Sequence, residues 1–471
     1  MTAPTTAPVT RSSAAILVAM CLGQGLTMFN STLVSATTPA IGLAMHASST
    51  ERQWITASYT LCYAALLLTG GAYGNRIGRR AAFLAGLSAF TVGCLICTVA
   101  PDVAALLVGR VVQAAGGAVL LPPTLSILVH EYDDRAARTR AVGIWAGVAS
   151  LGLSAGPVLG GIIVEFTDWR LGFAFGVAVG LIALGLALVS VPRSRHGRPE
   201  DAPPLDAVGA ILTVIALGGL AFALIESGNL GWGSPVIVGS FVLFVAGLAA
   251  FVGVQARMER VGQRPLMPLH LWRSRAFVAA NGAGLVYFIS FTGILFFYSA
   301  DLQIDHGHSP LVAGLSFLPM TLVMAVLGPV AGRLGGRVNP VWVMVSGLTV
   351  AGVGCLLLGV LSPHAGLLDL EWRLAVVGAG SGLMSSPMSA TAVSSVDTRH
   401  STTAAAVHNT FRQTGSTLAV ALLGVLVGPT TRPGFGSGLD HAMLLTAGLL
   451  LAWALTVYLI RPRRAAEPLP A

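Results

Sequence analysis

Long apolar runs alternate with short polar gaps along almost the whole chain. Each run is about 20 residues long, the length that an α-helix needs to cross roughly 30 Å of hydrocarbon. The pattern predicts an all-α membrane protein with fourteen transmembrane helices. The predicted spans are residues 14–35, 54–73, 82–100, 104–128, 141–164, 171–191, 207–226, 235–256, 277–300, 310–331, 341–362, 373–395, 404–427 and 442–460.

The basic residues are distributed unevenly between the polar gaps. All 27 are arginines, and 21 of them lie in one alternating set of gaps. The other set holds only Arg52, Arg170, Arg373 and Arg432. Since basic loops stay in the cytoplasm, the arginine-rich gaps and both termini are predicted to be cytoplasmic. The expected location is the cell (inner) membrane.

The overall composition agrees with a protein embedded in lipid. Hydrophobic residues make up 54% of the chain and charged residues 10%, whereas soluble domains carry about 25% charged residues. The net charge of +8 is spread over many loops, which favours orientation and contact with anionic membrane lipid. A nucleic acid partner would require one basic stripe, so we expect none.

Neither the polar N-terminus nor the cysteines indicate a functional site. Residues 1–13 have too few basic residues for a signal peptide, so we expect the first span to be retained. All five cysteines lie in predicted spans, where disulfide exchange and hydrated metals have no ready access. We therefore interpret the Cys94-x-x-Cys97 pair as packing and expect no cofactor and no metal.

Two longer polar stretches, a linker at 192–206 and an interfacial segment at 257–276, divide the chain. After the second span of each flanking part, the chain repeats Gly-x-x-Gly-x-Arg, at Gly71 and Gly332. Related halves are typical of transporters. The predicted organisation is a cytoplasmic tail (1–13), a six-helix half (14–191), linkers with two inserted helices (192–276), a second six-helix half (277–460) and a cytoplasmic tail (461–471).

Three motifs occur in a fixed order in the first half. They are Gly-Ala-Tyr-Gly-Asn-Arg-Ile-Gly-Arg-Arg at 71–80, Arg110-x-x-Gln113, and Gly-x-x-x-Gly-Pro-x-x-Gly-Gly at 152–161. By these motifs and their spacing, nearly the whole chain resembles the major facilitator superfamily, specifically its fourteen-span drug:proton antiporter branch. The resemblance implies the major facilitator fold, with two six-helix halves plus two inserted helices, and alternating access.

The glycines of the fifth span allow another helix to approach closely. We expect Gly152, Gly156, Gly160 and Gly161 to form one smooth face, since small residues bring helix backbones together in lipid. Pro157 should bend the helix and free a carbonyl that must find a partner inside the bundle. A pivot between two conformations is one interpretation, and simple helix packing is the alternative.

The loop at 71–80 is predicted to be a tight cytoplasmic turn. Its glycines, Gly71, Gly74 and Gly78, allow the turn, while Arg76, Arg79 and Arg80 can form ion pairs or bind helix C-termini. The resemblance implies a latch that holds the cytoplasmic side closed. Asn75 stands where the family has an acid, and Gly336 supplies none in the second half. Arginines that only fix topology are the alternative.

Arg110 is the most informative residue of the first half, because a charge inside an apolar span is costly. Gln113, one helical turn away, is expected to share its cavity. The resemblance implies an acid in span 1 as the partner, but Asn30 occupies that place and cannot titrate. In the alternative, Arg110 extends to water at the end of its span.

Proton coupling must then use an acid near a membrane boundary. The candidates are Asp301, which we prefer, Glu226 and Glu165. Asp301 follows an aromatic stretch that includes Tyr287 and Phe291 and could line a drug-sized pocket, although such aromatics are also common in cores.

Other ionisable groups bear on the substrate and on a second titrating site. The unpaired Arg110 favours an anionic or neutral substrate over a lipophilic cation. We interpret His408 as a surface residue rather than a titrating group, and Arg412-Gln413 resembles an Arg-Gln pair of the family.

Enzyme functions find no support in the sequence. A chain without lysine has no standard phosphate-binding loop, and no metal spacing lies in the spans. We predict a monomeric secondary transporter that exports an antibiotic or other small drug-like substrate in exchange for protons. A proton-independent facilitator or an uptake permease is the alternative within the family, and a membrane sensor or scaffold is the alternative of another class.

Overall fold

The computed structural model describes residues 11–132, 134–192, 206–263, 265–335, 338–361, 366–397, 400–428 and 435–460. This part of the chain contains α-helices and no strand. The helices are α1 Arg11–Ala44, α2 Ser49–Ile77, α3 Arg79–Val99, α4 Val103–Glu131, α5 Arg135–Phe166, α6 Arg170–Ser190, α7 Ala207–Leu230, α8 Pro235–Arg260, α9 Arg275–Ala300, α10 Pro310–Ser316, α11 Leu318–Gly335, α12 Pro340–Leu358, α13 Leu367–Ser394, α14 Ser401–Val427 and α15 Phe435–Ile460. A π-helical turn, Asp301–Asp305, continues α9.

Every predicted span coincides with helical structure, and α10 and α11 together cover 310–331. Within the described residues, twelve helical segments are long and apolar enough to cross a membrane. The other two predicted spans correspond to α2 and α13, which are long enough but carry charges such as Arg52 and Glu371 near one end. The prediction of an all-helical membrane protein is confirmed, while fourteen crossings stay a prediction.

Acceptor side chains mark the starts of several helices. The Ser48 hydroxyl accepts the backbone N–H of Glu51, whose carboxylate accepts the N–H of Ser48 in return at 2.8 Å. Asp102 before α4 and Asp134 before α5 each accept the amide three residues later. These caps satisfy amides that the first turn leaves without partners. They therefore fix the helix ends at the polar gaps that interrupt the apolar runs.

Two apolar cores organise the bundle. One contains buried side chains of α1–α6 and the other those of α9–α15. Helix α9 is the most deeply enclosed and packs on α1, α13, α14 and α15. The inserted helices α7 and α8 pack on each other, and α7 also contacts α2 and α14. The pair therefore lies beside the boundary between the two cores.

The two halves contact each other along α2 and α14. They also contact each other at the helix ends opposite the arginine-rich gaps, here called the arginine-poor side. Ser299 Oγ and Gln303 Nε2 both donate to the carbonyl oxygen of Ala36 in α1, at 3.3 and 3.2 Å. Toward the arginine-rich side, Gly143 and Gly147 of α5 have open space beside them. These contacts join the halves on the arginine-poor side, while the face of α5 that carries Gly143 and Gly147 has no neighbour among the described residues.

Candidate functional site

Arg110 lies inside the first half and is fully buried, at 0% exposure. Its Nη1 donates to Asn30 Oδ1 at 2.6 Å and to Gln113 Oε1 at 3.0 Å. Its Nε donates to the carbonyl oxygen of Ile55 at 3.2 Å, and its Cζ lies 4.3 Å from the centre of the Tyr59 ring. The structure thus brings Asn30, Arg110 and Gln113 together, and it rules out an Arg110 side chain that extends to water.

Arg110 has polar acceptors but no carboxylate among the described residues within 4.0 Å. Asn30 sits where an acid would neutralise the guanidinium, and it supplies one amide oxygen instead. Hydrogen bonds to a charged group contribute about 1.5–3 kcal/mol each. The cluster therefore holds α1, α2 and α4 together by charged hydrogen bonds while it keeps a net positive charge.

The Cys94-x-x-Cys97 pair takes part in this cluster, which corrects its interpretation as packing alone. Gln113 Nε2 lies 3.0 Å from Cys94 Sγ, and the Cys97 thiol lies 3.8 Å from Gln113 Oε1. Residues three apart share one helix face. The pair on α3 therefore faces the Arg110-x-x-Gln113 pair on α4, a correspondence that the two spacings alone could have suggested.

Three span-5 glycines let α1 approach α5 closely, as predicted. A Cβ atom on Gly152 would lie 2.6 Å from the carbonyl oxygen of Gly25, and one on Gly156 would overlap Thr32 Oγ1. On Gly160 it would lie 3.2 Å from a methyl group of Leu33. Any side chain at Gly152 or Gly156 would therefore force α1 and α5 apart.

Gly161 belongs to a different contact, so the prediction of one glycine face is wrong at this residue. A Cβ atom on Gly161 would overlap the carbonyl oxygen of Pro310, and one on Gly314 would lie 2.7 Å from the carbonyl oxygen of Pro157. Successive residues of an α-helix point about 100° apart, so Gly160 and Gly161 cannot share a face. Gly161 instead lets α5 approach α10 of the second half.

The carbonyl freed by Pro157 has the partner that the sequence analysis requires. Pro157 lacks the N–H that would bond the carbonyl of Leu153, four residues earlier. Thr32 Oγ1 donates to this carbonyl oxygen at 3.0 Å. The bend in α5 is thus stabilised by a side chain of α1, at the level where Gly156 lets the two helices approach.

The predicted turn at 71–80 is shorter than expected. Helix α2 continues through Ile77, so Gly71 and Gly74 lie in its last turns, and Gly78 alone of the three glycines has a positive φ, of 90°. A helix end needs one residue in this conformation rather than a glycine loop. The surroundings of Gly74 and Asn75 lie outside the described residues.

The arginines of this segment act at different places. Arg80 Nη2 donates to the carbonyl oxygen of Leu188 at 2.9 Å, near the C-terminus of α6, as expected for a cation at a helix C-terminus. Arg76 is exposed, and Arg79 is partly buried. The contact of Arg80 lies within the first half, so a latch to the second half stays a prediction. Gly336 and Arg337 lie outside the described residues.

The three candidate acids all lie on the arginine-poor side. Asp301 is 7% exposed, and its Oδ2 lies 3.5 Å from His306 Nδ1. Glu226 accepts from Trp54 Nε1 at 2.8 Å, between α7 and α2. Glu165 accepts the backbone N–H at the start of α10 at 3.2 Å. Asp301 is thus the most enclosed of the three acids.

Asp301 also belongs to a group that could hold a cation. Together with Asp305 and His306 it offers three ligand atoms within 4.8 Å of one another. Asp305 and His306 are exposed, so water reaches this turn.

The aromatic stretch of α9 is divided between two environments. Tyr287 and Phe291 are 2% and 1% exposed and pack in the second core with Phe288, at ring distances of 5.8 and 6.1 Å to Phe291. Phe296 and Phe297 line a cavity of about 30 Å³ on the arginine-poor side. That volume suits water rather than a drug, so a pocket along Tyr287 and Phe291 stays a prediction.

Two polar residues of α14 are more deeply placed than the sequence analysis expected. His408 is 3% exposed, which corrects its interpretation as a surface residue. Arg412 Nη1 donates to Asn409 Oδ1 at 3.1 Å, and its Cζ lies 4.4 Å from the centre of the Phe288 ring. His408 and Arg412 are four residues apart in a predicted span and so share one helix face, and this spacing could have indicated that both are enclosed.

Comparisons with known proteins agree on one family. A profile of the Major Facilitator Superfamily matches residues 20–420. The chain is 30% identical over 442 residues to the methylenomycin A resistance protein of Bacillus subtilis (strain 168), covering 93% of each chain. It is 32% identical over 411 residues to the tetracenomycin C resistance and export protein of Streptomyces glaucescens, covering 87% of this chain and 75% of the relative.

A similar solved structure is a bacterial homologue of the human lysosomal transporter Spinster, in an inward-facing and occupied conformation. It superposes with a TM-score of 0.66 at 17% identity and covers 97% of each chain. At this identity the likeness concerns the fold alone.

Proposed function

The chain belongs to the Major Facilitator Superfamily, and from this premise we propose that it exports an antibiotic or another small organic molecule in exchange for protons. Members of the superfamily are transporters, so the protein is a membrane transporter and not an enzyme. Export is supported by relatives of 30–32% identity that are named for antibiotic resistance. This observation carries the proposal.

The proposed membrane arrangement has fourteen spans with both termini in the cytoplasm. Helices α2 and α13 are 29 and 28 residues long and pack against several spanning helices. Polar residues that face a bundle interior are compatible with a span. The positive-inside rule then places the arginine-rich side in the cytoplasm of the cell membrane.

Alternating access is supported by the contacts of α5. Gly161 and Gly314 bring α5 against α10 on the arginine-poor side, while Gly143 and Gly147 have open space toward the other side. An exporter takes up its substrate from the cytoplasm, and in the proposed orientation the open space beside Gly143 and Gly147 lies toward that side. The bend at Pro157 lies between the two ends of α5 and is the proposed pivot.

Asp301 is the proposed proton-coupling group, because the Arg110 cluster contains no carboxylate among the described residues. Asp301 is buried beside His306 on a π-helical turn, where a carboxylate can exchange protons with the exposed side. The amide at Asn30 gives one reason to consider a proton-independent facilitator, since Asn30 cannot release a proton.

Drug uptake into everted vesicles separates these functions. We expect uptake to be abolished by a protonophore in the native protein, and lost in Asp301→Asn but retained in Glu226→Gln. Both substitutions remove one carboxylate on the arginine-poor side, so Glu226→Gln is the matched control. Uptake that resists the protonophore would instead identify a facilitator. Coupling lost only in Glu226→Gln would move the proton site to α7.

A further inference from the structure

Two arginines are enclosed in the bundle, one in each half. Arg110 on α4 has three hydrogen-bond acceptors and a stacked ring. Arg412 on α14 has one acceptor, Asn409 Oδ1, and its Nε has no hydrogen-bond partner. In the described part of the chain, neither guanidinium lies within 4.0 Å of a carboxylate oxygen. Arg412 therefore has fewer hydrogen-bond partners than Arg110, of whose guanidinium nitrogens only Nη2 has none.

A pair of tyrosines on α2 connects the surroundings of the two arginines. Tyr59 lies under the Arg110 guanidinium and stacks on Tyr63, with ring centres 5.6 Å apart and an interplanar angle of 17°. Tyr63 lies one helical turn from Thr60, a residue of α2 that contacts α14. Both phenol hydroxyls are buried and have no hydrogen-bond partner.

The contact between α2 and α14 fixes this geometry across the boundary between the halves. Thr417 Oγ1 donates to Thr60 Oγ1 at 3.0 Å, next to Tyr59 on α2 and five residues after Arg412 on α14. Tyr63 is three residues from Thr60 and Arg412 is five residues from Thr417, both toward the arginine-rich side. The two residues therefore come from different halves and lie at similar depths. A ligand bound there would touch both halves, as a transported molecule must.

The unpartnered groups at this place are mainly donors. Arg412 Nε and the Tyr63 hydroxyl each offer a hydrogen, and His408 Nδ1 also lacks a partner. Enclosed charged donors without acceptors are costly in a low dielectric. An anionic oxygen group would supply both the missing acceptors and the missing charge.

We propose that Arg412 and Tyr63 bind an anionic oxygen group, such as a carboxylate, of the exported compound. This inference rests on the proposed function and names its substrate class. The ring of Phe288 lies beside the guanidinium, and the ring of Tyr287 packs on Phe288 with ring centres 4.9 Å apart. The two rings offer an apolar surface for the body of the compound. Arg110 is enclosed by its own partners and positions α2 rather than binding the ligand.

The depth of Arg412 suits a site reached from the arginine-rich side. Helix α14 begins at Ser401 on that side, and 11 residues at a rise of 1.5 Å place Arg412 roughly 16 Å along the helix. That is about half of the hydrocarbon thickness. Arg412 is intermediate in exposure, whereas Arg110 is fully buried.

Transport and binding of dyes with different charges test the proposal. We would compare Arg412→Gln, Arg412→Lys and Tyr63→Phe with the control Arg257→Gln, an exposed arginine of α8. The probes are carboxyfluorescein and ethidium, measured as protonophore-sensitive efflux from cells and as fluorescence anisotropy with the purified protein. Size-exclusion profiles show which variants fold.

We expect the native protein to bind and export carboxyfluorescein. Arg412→Gln should weaken binding at least about tenfold, since a hydrogen bond to a charged group contributes about 1.5–3 kcal/mol. Arg412→Lys should keep part of the binding, Tyr63→Phe should lose less than Arg412→Gln, and Arg257→Gln should match the native protein. Ethidium export should not fall in Arg412→Gln.

The results that would contradict the proposed site differ from those that would contradict the proposed function. Native protein that exports ethidium but neither binds nor exports the anionic dye would overturn the proposed site and leave drug export intact. Equal binding of the anionic dye by native protein and Arg412→Gln would also overturn it. Binding that depends on Arg412 without efflux of any probe would contradict the proposed function and keep the site. If Arg412→Gln does not fold, Tyr63→Phe decides, because it removes one hydroxyl without changing a charge.

Discussion

Replacing Thr32 by valine tests whether the bend in α5 depends on a side chain of α1. The hydroxyl of Thr32 is 3.0 Å from the carbonyl oxygen of Leu153, the group that Pro157 leaves without an intrahelical donor. Valine has nearly the same shape as threonine but no donor. The substitution therefore removes one hydrogen bond and leaves a buried carbonyl oxygen unsatisfied.

The size of the effect follows from this environment. An unsatisfied buried acceptor costs about 1–3 kcal/mol, whereas hydrogen bonds between membrane helices average about 0.6 kcal/mol and reach about 1.7. Because Pro157 cannot donate to this carbonyl, we expect a loss near the upper membrane value, about 1–2 kcal/mol. Replacing Pro157 by alanine restores the N–H of residue 157, which can then bond Leu153. In that background Thr32→Val should cost less than about 0.5 kcal/mol.

Reversible unfolding in mixed micelles of SDS and dodecylmaltoside, followed by tryptophan fluorescence, gives the four free energies of this double-mutant cycle. The expected coupling is about 1 kcal/mol, above the error of about 0.3–0.5 for independent sites. Thr446→Val is the matched control, since the Thr446 hydroxyl is also buried but donates within its own helix, to the carbonyl of Ala442 at 2.7 Å. An equal cost of Thr32→Val in both backgrounds would refute the assigned role of this hydroxyl.

Two further predictions concern other contacts of the bundle. Gly161→Ala should hold the halves apart on the arginine-poor side, because its Cβ would overlap the carbonyl oxygen of Pro310. Spin-label distances between α5 and α10 should increase, and transport should fall about tenfold or more. The control Gly147→Ala has open space beside it and should match the native protein. Asn30→Leu should destabilise the fold by about 1.5–3 kcal/mol in the same unfolding assay, because Arg110 loses its shortest hydrogen bond. Asn30→Asp should unfold at the native denaturant concentration or above it, and a greater loss from Asp than from Leu would contradict this account.

The helices were predictable from the sequence because each apolar run must satisfy its own backbone hydrogen bonds in lipid. Their ends were less predictable. Helix α1 continues to Ala44, nine residues past its predicted end, and α2 to Ile77. Backbone bonding lets a helix extend beyond the apolar run that reveals it, and hydropathy does not record that extension. For the same reason, the 71–80 turn was predicted too long.

The residues of the candidate site were predictable where the sequence of a single helix indicates them. They were not predictable where their role depends on how several helices pack. Arg110 and Gln113 were identifiable because a charged residue is rare in an apolar run. The Tyr59 ring and the Ile55 carbonyl come from α2, and their position depends on how α2 and α4 pack. Spacing along one helix does not contain that information. The contact of Gly161 was not predictable for the same reason. Gly161 contacts α10, whereas its neighbour Gly160 contacts α1.

In our proposal, Arg110 has a structural role in the first half and Arg412 binds the substrate in the second half. With an acid at position 30, Arg110 could be neutralised and released as that acid gained or lost a proton. Asn30 removes this possibility, because an amide does not titrate, so the Arg110 cluster keeps one charge state. A cluster that does not change its charge can hold α1, α2 and α4 as one body but cannot couple movement to protons. In our proposal, proton binding occurs instead at Asp301, and the exported compound balances the charge of Arg412.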